Sequence, residues 1–108
     1  MTAVCVQIEF ALRCSLQRYH AIAGEAAPRM AEVPGLEAKW WWIDADAARA
    51  GGVYKFESRR AAEQYLAGPI VSGLRQAWFC EGVQTRVMEL LEPRATEAAP
   101  GASKLLAD

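Results

Sequence analysis

Strongly apolar side chains occupy every second position from Val4 to Leu12. Successive side chains of a strand point to opposite faces, so this period of two predicts a strand with one apolar face. The predicted apolar face consists of Val4, Val6, Ile8, Phe10 and Leu12, and the opposite face of Cys5, Gln7, Glu9 and Ala11. The first strand therefore has a core side and a mixed side.

The next segment has the period of a helix. Apolar residues recur at steps of three or four, namely Leu16, Tyr19, Ile22, Ala23, Ala26, Met30 and Val33. Ser15 is a suitable N-cap, because its side-chain oxygen can accept a hydrogen bond from the first turn. Pro28 lacks an N–H group and predicts a kink near Ala27 or a break after which a new turn starts. Pro34-Gly35 is expected to end the helix.

Two strands are predicted in the middle of the chain. Residues 36–43 form the first, and residues 44–50 form a polar connection longer than the tightest hairpin turns. Gly51-Gly52 opens the second strand, at residues 53–56, and is expected to permit a bulge or a positive φ. The pair leads into a strand and not a helix, which argues against a phosphate-binding loop.

Further helical signals follow, and then a last strand. Ser58 is a good N-cap for a helix over residues 59–66, which Gly68-Pro69 breaks, and residues 70–79 form a further helical piece. Gly82 is expected to turn the chain into a strand over residues 83–91, which Glu92-Pro93 ends.

This order of elements, strand, helix, strand, strand, helix, strand, predicts an α+β ferredoxin-like fold. Such a βαββαβ chain forms a four-stranded antiparallel sheet with its helices on one face, and right-handed crossovers place the first and third strands in the centre. The predicted domain spans residues 1–93. Residues 94–108 are rich in Ala, Pro, Gly and charge, and we expect a disordered C-terminal tail.

Three consecutive tryptophans, Trp40, Trp41 and Trp42, lie in the second predicted strand. Because neighbours on a strand alternate in direction, an indole projects from both faces of the sheet. The helices cover only one face. We therefore expect a second copy of the chain to cover the other, in a homodimer.

The bulk composition excludes several classes of partner and site. The 12 basic and 13 acidic residues give a net charge of −1, which provides no electrostatic footprint for nucleic acid or an acidic membrane surface. The apolar runs are too short to span a membrane, and the start has no basic region typical of a signal peptide, so a cytoplasmic location is expected. Cys5, Cys14 and Cys80 form no Cys-x-x-Cys pair, and we interpret them as free thiols with no metal site.

Several spaced motifs carry a family resemblance across residues 3–93. They are V-Q-I-E-F-A-L in the first strand, Pro28, Pro34-Gly35, Lys39-x-Trp41, Ala50-Gly51-Gly52-Val53-Tyr54 and Phe56. Together they resemble the YdhR-like mono-oxygenase family of the dimeric α/β-barrel superfamily, which also contains the antibiotic-biosynthesis mono-oxygenases. The resemblance implies a ferredoxin-like dimer. It also implies oxidation of a phenolic, anthrone-like or quinol aromatic small molecule with no metal or flavin cofactor.

Such a reaction needs an apolar pocket, a base, and a donor or cation that holds an anionic substrate. Trp40, Trp41, Trp42 and Trp78 could form flat walls, or could equally belong to the core or the dimer interface. Lys39 could stabilise the anion or cover apolar surface, and Tyr54 could orient the substrate or fill the core.

His20 is the only histidine and the first candidate base, with a helix surface position as its structural alternative. Glu9 is the second candidate base. An alternative function on the same fold is a non-catalytic dimeric module that binds or senses an apolar aromatic ligand.

Overall fold

The computed structural model describes residues 2–91, which form four strands and three helices. In chain order these are β1 (Val4–Leu12), α1 (Leu16–Met30), β2 (Leu36–Asp44), β3 (Arg49–Phe56), α2 (Arg59–Leu66), α3 (Pro69–Arg75) and β4 (Cys80–Glu89). The strands form one sheet in the order β2-β3-β1-β4, and every neighbouring pair is antiparallel. The predicted ferredoxin-like fold, with β1 and β3 central, is confirmed. The predicted domain end at residue 93 and the tail lie outside the described residues.

The alternating residues of β1 build the core. Val4, Val6, Ile8 and Phe10 are at most 3% exposed, and helical residues such as Tyr19 and Ala62 belong to the same buried cluster. The register sets Val6 opposite Tyr54 of β3 and Val87 of β4, so apolar side chains of three strands meet on one face. This face, on which the helices pack, is called the covered face below.

The helix starts follow the predicted caps. The Ser15 hydroxyl accepts a hydrogen bond from the backbone N–H of Arg18, and the Ser58 hydroxyl accepts one from Ala61. Of the two predicted outcomes at Pro28, a kink or a break, the break does not occur, because α1 continues through Pro28 to Met30. The missing N–H would have bonded to the carbonyl of Gly24, and Gly24 is exposed, so water can satisfy that carbonyl.

The glycine pair has a different role from the predicted one. β3 begins at Arg49, the register continues through Gly51 and Gly52, and neither residue has a positive φ. Both are instead needed for close packing. A Cβ at Gly51 would collide with the Ile8 carbonyl oxygen and the Trp42 ring, and one at Gly52 would lie 3.1 Å from the Lys39 side chain.

The last strand also differs from the prediction. β4 starts at Cys80, because the ladder to β1 extends to the pair Leu12–Cys80. Gly82 lies inside β4 with φ of 65°, next to a register shift. The conformational freedom of glycine allows this irregularity in the strand.

α3 ends at Arg75, earlier than the predicted residue 79.

The other face of the sheet, called the open face below, carries the remaining alternate residues. The register sets Trp40 opposite Val53, Trp42 opposite Gly51, and Cys5 opposite Met88. Trp40 is 58% exposed.

Within residues 2–91, no helix is long and apolar enough to cross a membrane.

Candidate active site

A cavity of about 220 Å³, called the inner cavity below, lies between the covered face and the helices. The strands supply Phe10, Lys39, Trp41, Gly51, Gly52 and Tyr54, the three helices supply Tyr19, Ile22, Ala26, Met30, Tyr65, Ile70, Gly73 and Leu74, and the segment before β4 supplies Ala77 and Phe79. The lining is apolar and aromatic, with one amine and three phenolic hydroxyls. Ligand sites for small molecules typically combine such walls with a few polar groups.

The amine is that of Lys39, on the edge strand β2. The ladder sets Lys39 opposite Tyr54 and Trp41 opposite Gly52, so all four residues share the covered face. Lys39 Nζ lies 3.2 Å from the centre of the Trp41 ring and 4.6 Å from that of the Tyr54 ring. The lack of a side chain at Gly52 leaves the space that the lysine stem occupies.

Burial controls the charge of this amine. It lowers the pKa of Lys39 from 10.5 to about 7, because an ammonium loses hydration among apolar side chains. Its hydrogen-bond acceptor is the Met30 sulfur, at 3.6 Å, which is a weak acceptor. No carboxylate of residues 2–91 forms an ion pair with Lys39, whereas the two aromatic rings favour the ammonium. Lys39 therefore has access to both protonation states near neutral pH.

The hydroxyls of the inner cavity keep their protons. Burial, together with the neighbouring Tyr65, raises the pKa of Tyr54 far above its usual range, and burial also raises the pKa of Tyr65. Burial raises the pKa of Tyr19 to about 12. These groups can donate hydrogen bonds to an anionic ligand, but they do not act as bases near neutral pH.

Two groups of aromatic rings hold the inner cavity in shape. Phe10, Tyr19 and Phe79 pack at one end, with ring centres 5.9 to 6.3 Å apart. At the other end the Tyr65 ring lies 5.3 Å from Tyr54 and 5.4 Å from Phe56. Offset and edge-to-face contacts of this kind stabilise ring positions, so a flat ligand meets preformed walls.

The family described as "Putative mono-oxygenase ydhR" has a model that matches residues 5–100. The chain belongs to this family. The predicted resemblance is therefore confirmed. No curated protein matches the chain at a significant level.

Several solved structures share the fold at low identity. A monooxygenase from the gene ActVA-Orf6 of Streptomyces coelicolor, in complex with nanaomycin D, is 18% identical, with a TM-score of 0.65 over 91% of this chain and 93% of that chain. SnoaB, a cofactor-independent oxygenase from Streptomyces nogalater, is 14% identical, with a TM-score of 0.63 over 93% of this chain and 99% of that chain. The NE2512 protein of unknown function from Nitrosomonas europaea is 17% identical, with a TM-score of 0.65 over 91% of this chain and 98% of that chain. These likenesses show that the chain shares the α+β fold of these three proteins.

Three of the candidate residues come together in this YdhR-family chain. Lys39, Trp41 and Tyr54 line the inner cavity, and Lys39 contacts both aromatic rings.

The other tryptophans lie elsewhere. Trp40 and Trp42 belong to the open face, on the far side of the sheet from the inner cavity. Trp78 is 64% exposed, and its ring packs against Phe79 and under the Arg18 guanidinium.

Neither candidate base reaches the inner cavity. His20 is exposed on α1, next to the buried Tyr19, because successive helix residues point in directions about 100° apart. Glu9 is on the open face, where its carboxylate lies 3.5 Å from the guanidinium of Arg49. Since the sheet separates Glu9 from the inner cavity, the carboxylate is not placed to take a proton there.

Sequence reasoning missed most of the cavity lining. Phe10, Tyr19 and Met30 were assigned to apolar stripes, which predict burial but do not reveal a void, and Tyr65 and Phe79 were not singled out. One signal was available for the amine. Lys39 is two residues from Trp41 and four from Ile43, so the period of two sets a charged side chain beside large apolar ones on one strand face.

Within residues 2–91, no group of three or more His, Cys, Asp or Glu side chains is arranged to hold a metal ion.

Proposed function

We propose that this protein is a cofactor-independent mono-oxygenase that acts on a phenolic, anthrone-like or quinol aromatic small molecule in the inner cavity. The observation that carries the proposal is the amine of Lys39, at the cavity wall between the Trp41 and Tyr54 rings. Membership of the YdhR family and the shared fold with the oxygenases SnoaB and ActVA-Orf6 support the same class of reaction.

Binding follows from the shape and chemistry of the walls. A flat aromatic substrate lies among Phe10, Tyr54, Phe79 and the helix residues, where apolar contact removes it from water. Its hydroxyl or enolisable carbonyl points to Lys39, and the protonated hydroxyl of Tyr54 donates a hydrogen bond to the same oxygen. Both groups bind the anion more strongly than the neutral substrate, which is the condition for catalysis.

Lys39 acts as the base. Its neutral amine takes a proton from the substrate, and the resulting ammonium remains paired with the phenolate or enolate that it has created. The Trp41 and Tyr54 rings stabilise this ammonium, so charge separation is less costly than in a purely aliphatic pocket. The proposal gives Lys39 the role for which His20 and Glu9 were candidates, since those two residues lie away from the inner cavity.

Dioxygen is the oxidant and reacts at an electron-rich ring carbon of the anion. One electron passes to dioxygen, the two radicals combine into a carbon–oxygen bond, and the Lys39 ammonium returns its proton to give a hydroperoxide. Lys39 then removes the proton on the same carbon, the O–O bond breaks, and hydroxide leaves as water after taking that proton. Substrate and dioxygen thus give a carbonyl product and water, with no external reductant.

We further propose that the open face pairs with the open face of a second copy. Trp40 is 58% exposed there, and Trp42, Val53, Cys5 and Met88 add apolar area. Burial of one indole contributes up to about 5 kcal/mol, taken as about 200 Å² at about 25 cal/mol per Å². Because the inner cavity lies on the covered face, this pairing leaves it free for a substrate.

Oxygen uptake tests the enzymatic proposal. The purified protein is assayed with an oxygen electrode against anthrones, quinols and naphthols, with Lys39→Met and Lys39→Arg as variants. We expect uptake with at least one class, and a loss of about 10² to 10⁴ in rate for both variants, as for removal of a general base.

Lys39→Arg separates two roles of the lysine. Arginine keeps the positive charge but does not give up its proton, so it can hold an anion yet cannot act as a base. Full activity of this variant would contradict the role of Lys39 as base. Saturable binding of these compounds without any oxygen uptake would contradict the oxygenase and favour a binding or sensing module.

A further inference from the structure

A second and larger cavity, called the outer cavity below, adjoins the inner one. It measures about 500 Å³ and lies between the end of α1, the turn that follows it, and the junction of α2 with α3. Tyr65 and Ile70 line both cavities. Met30 of the inner cavity follows Arg29 of the outer cavity directly in the chain. The two cavities are therefore adjacent, and the side chains of Tyr65 and Ile70 lie between them.

The size of the inner cavity argues that it does not hold a whole ligand. Sites for cofactors and drug-sized molecules usually measure about 300 to 1,000 Å³. The inner cavity, at about 220 Å³, falls below this range, whereas the two cavities together lie well within it. A molecule that fills only the inner cavity is limited to a small ring system, and a larger one has the outer cavity as adjoining space.

The outer cavity is lined by both hydrogen-bond donors and hydrogen-bond acceptors. Arg29 and the Gln64 amide supply donors, and Glu32 and the Gln64 carbonyl supply acceptors. Val33 and Ile70 supply apolar surface beside them. A charged arm would be attracted by one of Arg29 and Glu32 and repelled by the other. A neutral arm with hydroxyl and carbonyl groups finds a partner in each.

We propose that the outer cavity binds the second part of a two-part substrate, namely a neutral hydroxyl- and carbonyl-bearing arm attached to the aromatic ring in the inner cavity. The assignment of the ring to the inner cavity rests on the proposed function. The arm supplies binding energy at a distance from the reacting carbon. Such energy is available to hold the ring against Lys39 and Tyr54.

Anaerobic calorimetry on the full chain tests this without any need for turnover. The probes are 1-naphthol and a 1-naphthol that carries a hydroxyethyl-amide arm on its second ring. We expect the arm to improve the dissociation constant by at least tenfold. Gln64→Trp fills the outer cavity from an exposed helix position, and we expect it to remove the tenfold difference in affinity between the two probes.

Glu63→Trp is the matched control, because Glu63 is the exposed neighbour on α2 and lines neither cavity. It should keep the full gain from the arm. Equal affinity of the two probes for the unmodified protein would overturn the proposal. The proposal would also fail if Gln64→Trp and Glu63→Trp reduced the affinity gain from the arm by the same factor. If Gln64→Trp removes the affinity gain but the protein shows no oxygen uptake, the outer binding site is supported. Only the proposed oxygenase activity is then overturned.

Discussion

The amine of Lys39 lies 3.2 Å from the centre of the Trp41 indole, two residues further along the same strand. The period of two in a strand places both side chains on the covered face, where Lys39 is half-buried and Trp41 remains 36% exposed. Burial then sets the pKa of the amine at about 7, while the indole favours its charged form. A group that changes charge near neutral pH thus lies beside the walls of an aromatic cavity.

The first prediction concerns the pH dependence of catalysis. If neutral Lys39 is the base, kcat/KM rises with pH and levels off above about pH 7, where the amine of the free protein has lost its proton. The measurement is initial oxygen uptake between pH 5.5 and 9 with a substrate that does not itself titrate in this range. Lys39→Arg should lose the rise together with the activity. A rate that is constant from pH 5.5 to 9 would contradict the prediction.

The second prediction concerns stability, for which the sign follows from the lowered pKa. Between about pH 7 and 10.5 the unfolded chain holds a proton on Lys39 that the folded chain has lost, so the free energy of unfolding rises with pH. Below pH 7 both states are protonated, and the full desolvation penalty remains. We expect the free energy of unfolding of Lys39→Met at pH 6 to exceed that of the wild type by about 1–2 kcal/mol, after allowance for solvent screening. Urea unfolding at pH 6 measures this difference.

This difference should shrink as the pH approaches 10, because the wild type is then relieved of its buried charge. Lys39→Arg provides the control. Because arginine keeps its proton, this variant should be less stable than Lys39→Met at both pH 6 and pH 10. Equal stability of Lys39→Met and wild type at pH 6 would show that the amine is better hydrated than the structure indicates.

The third prediction separates hydrogen-bond donation from proton abstraction. Tyr54 keeps its proton, so Tyr54→Phe removes a donor to the substrate anion but no base. We expect kcat/KM to fall by about tenfold or more, with the pH profile unchanged. Tyr19→Phe is the control, because Tyr19 lines the same cavity at the end formed by Phe10 and Phe79. A shifted pH profile in Tyr54→Phe would mean that Tyr54 takes part in proton transfer.

The elements of the fold were predictable because their signals are local. The alternation of β1 and the serine caps at Ser15 and Ser58 each depend on a few neighbouring residues, and the structure confirms them. The start of β4 at Cys80 was not predictable in this way. It depends on the partner Leu12, which is far away in sequence, and on the irregular register beside Gly82.

The site was predictable only in part, for the same reason. The period of two in β2 joins Lys39 to Trp41, but the contact of Lys39 with Tyr54 depends on the β2–β3 register. That register is set by a connection whose turn geometry includes a positive φ at Ala48, a residue that rarely adopts one. The exposure of His20 depends on how α1 is rotated against the sheet, which the apolar stripe defines only approximately.

The fourth prediction concerns the close packing at Gly51. A Cβ there would collide with the Ile8 carbonyl oxygen of the neighbouring strand, and backbone cannot move aside as a flexible side chain can. We expect Gly51→Ala to lower the free energy of unfolding by about 1–3 kcal/mol, the usual cost of overpacking. Gly24→Ala is the matched control, because nothing lies within 4 Å of a Cβ at that exposed helix position.

The control is expected to change stability in the opposite direction. Alanine is favoured over glycine inside a helix by about 1 kcal/mol, so Gly24→Ala should raise the melting temperature. Urea unfolding followed by circular dichroism measures both variants. A Gly51→Ala variant as stable as the wild type would show that β3 can move away from β1 at little cost.

The fifth prediction concerns the open face. Trp40 and Trp78 are the two most exposed tryptophans, at 58% and 64%, but only Trp40 lies on the face proposed to pair with a second copy. Trp40→Glu places a charge where the partner would bury apolar surface, so the variant should be a monomer at concentrations at which the wild type is a dimer. Trp78→Glu makes the same chemical change on the other side of the molecule and should remain a dimer. Size-exclusion chromatography with light scattering over a hundredfold range of concentration distinguishes these outcomes. If both variants stay dimeric, the open face is not the interface, and if both become monomeric, the contact involves the Trp78 side of the molecule as well.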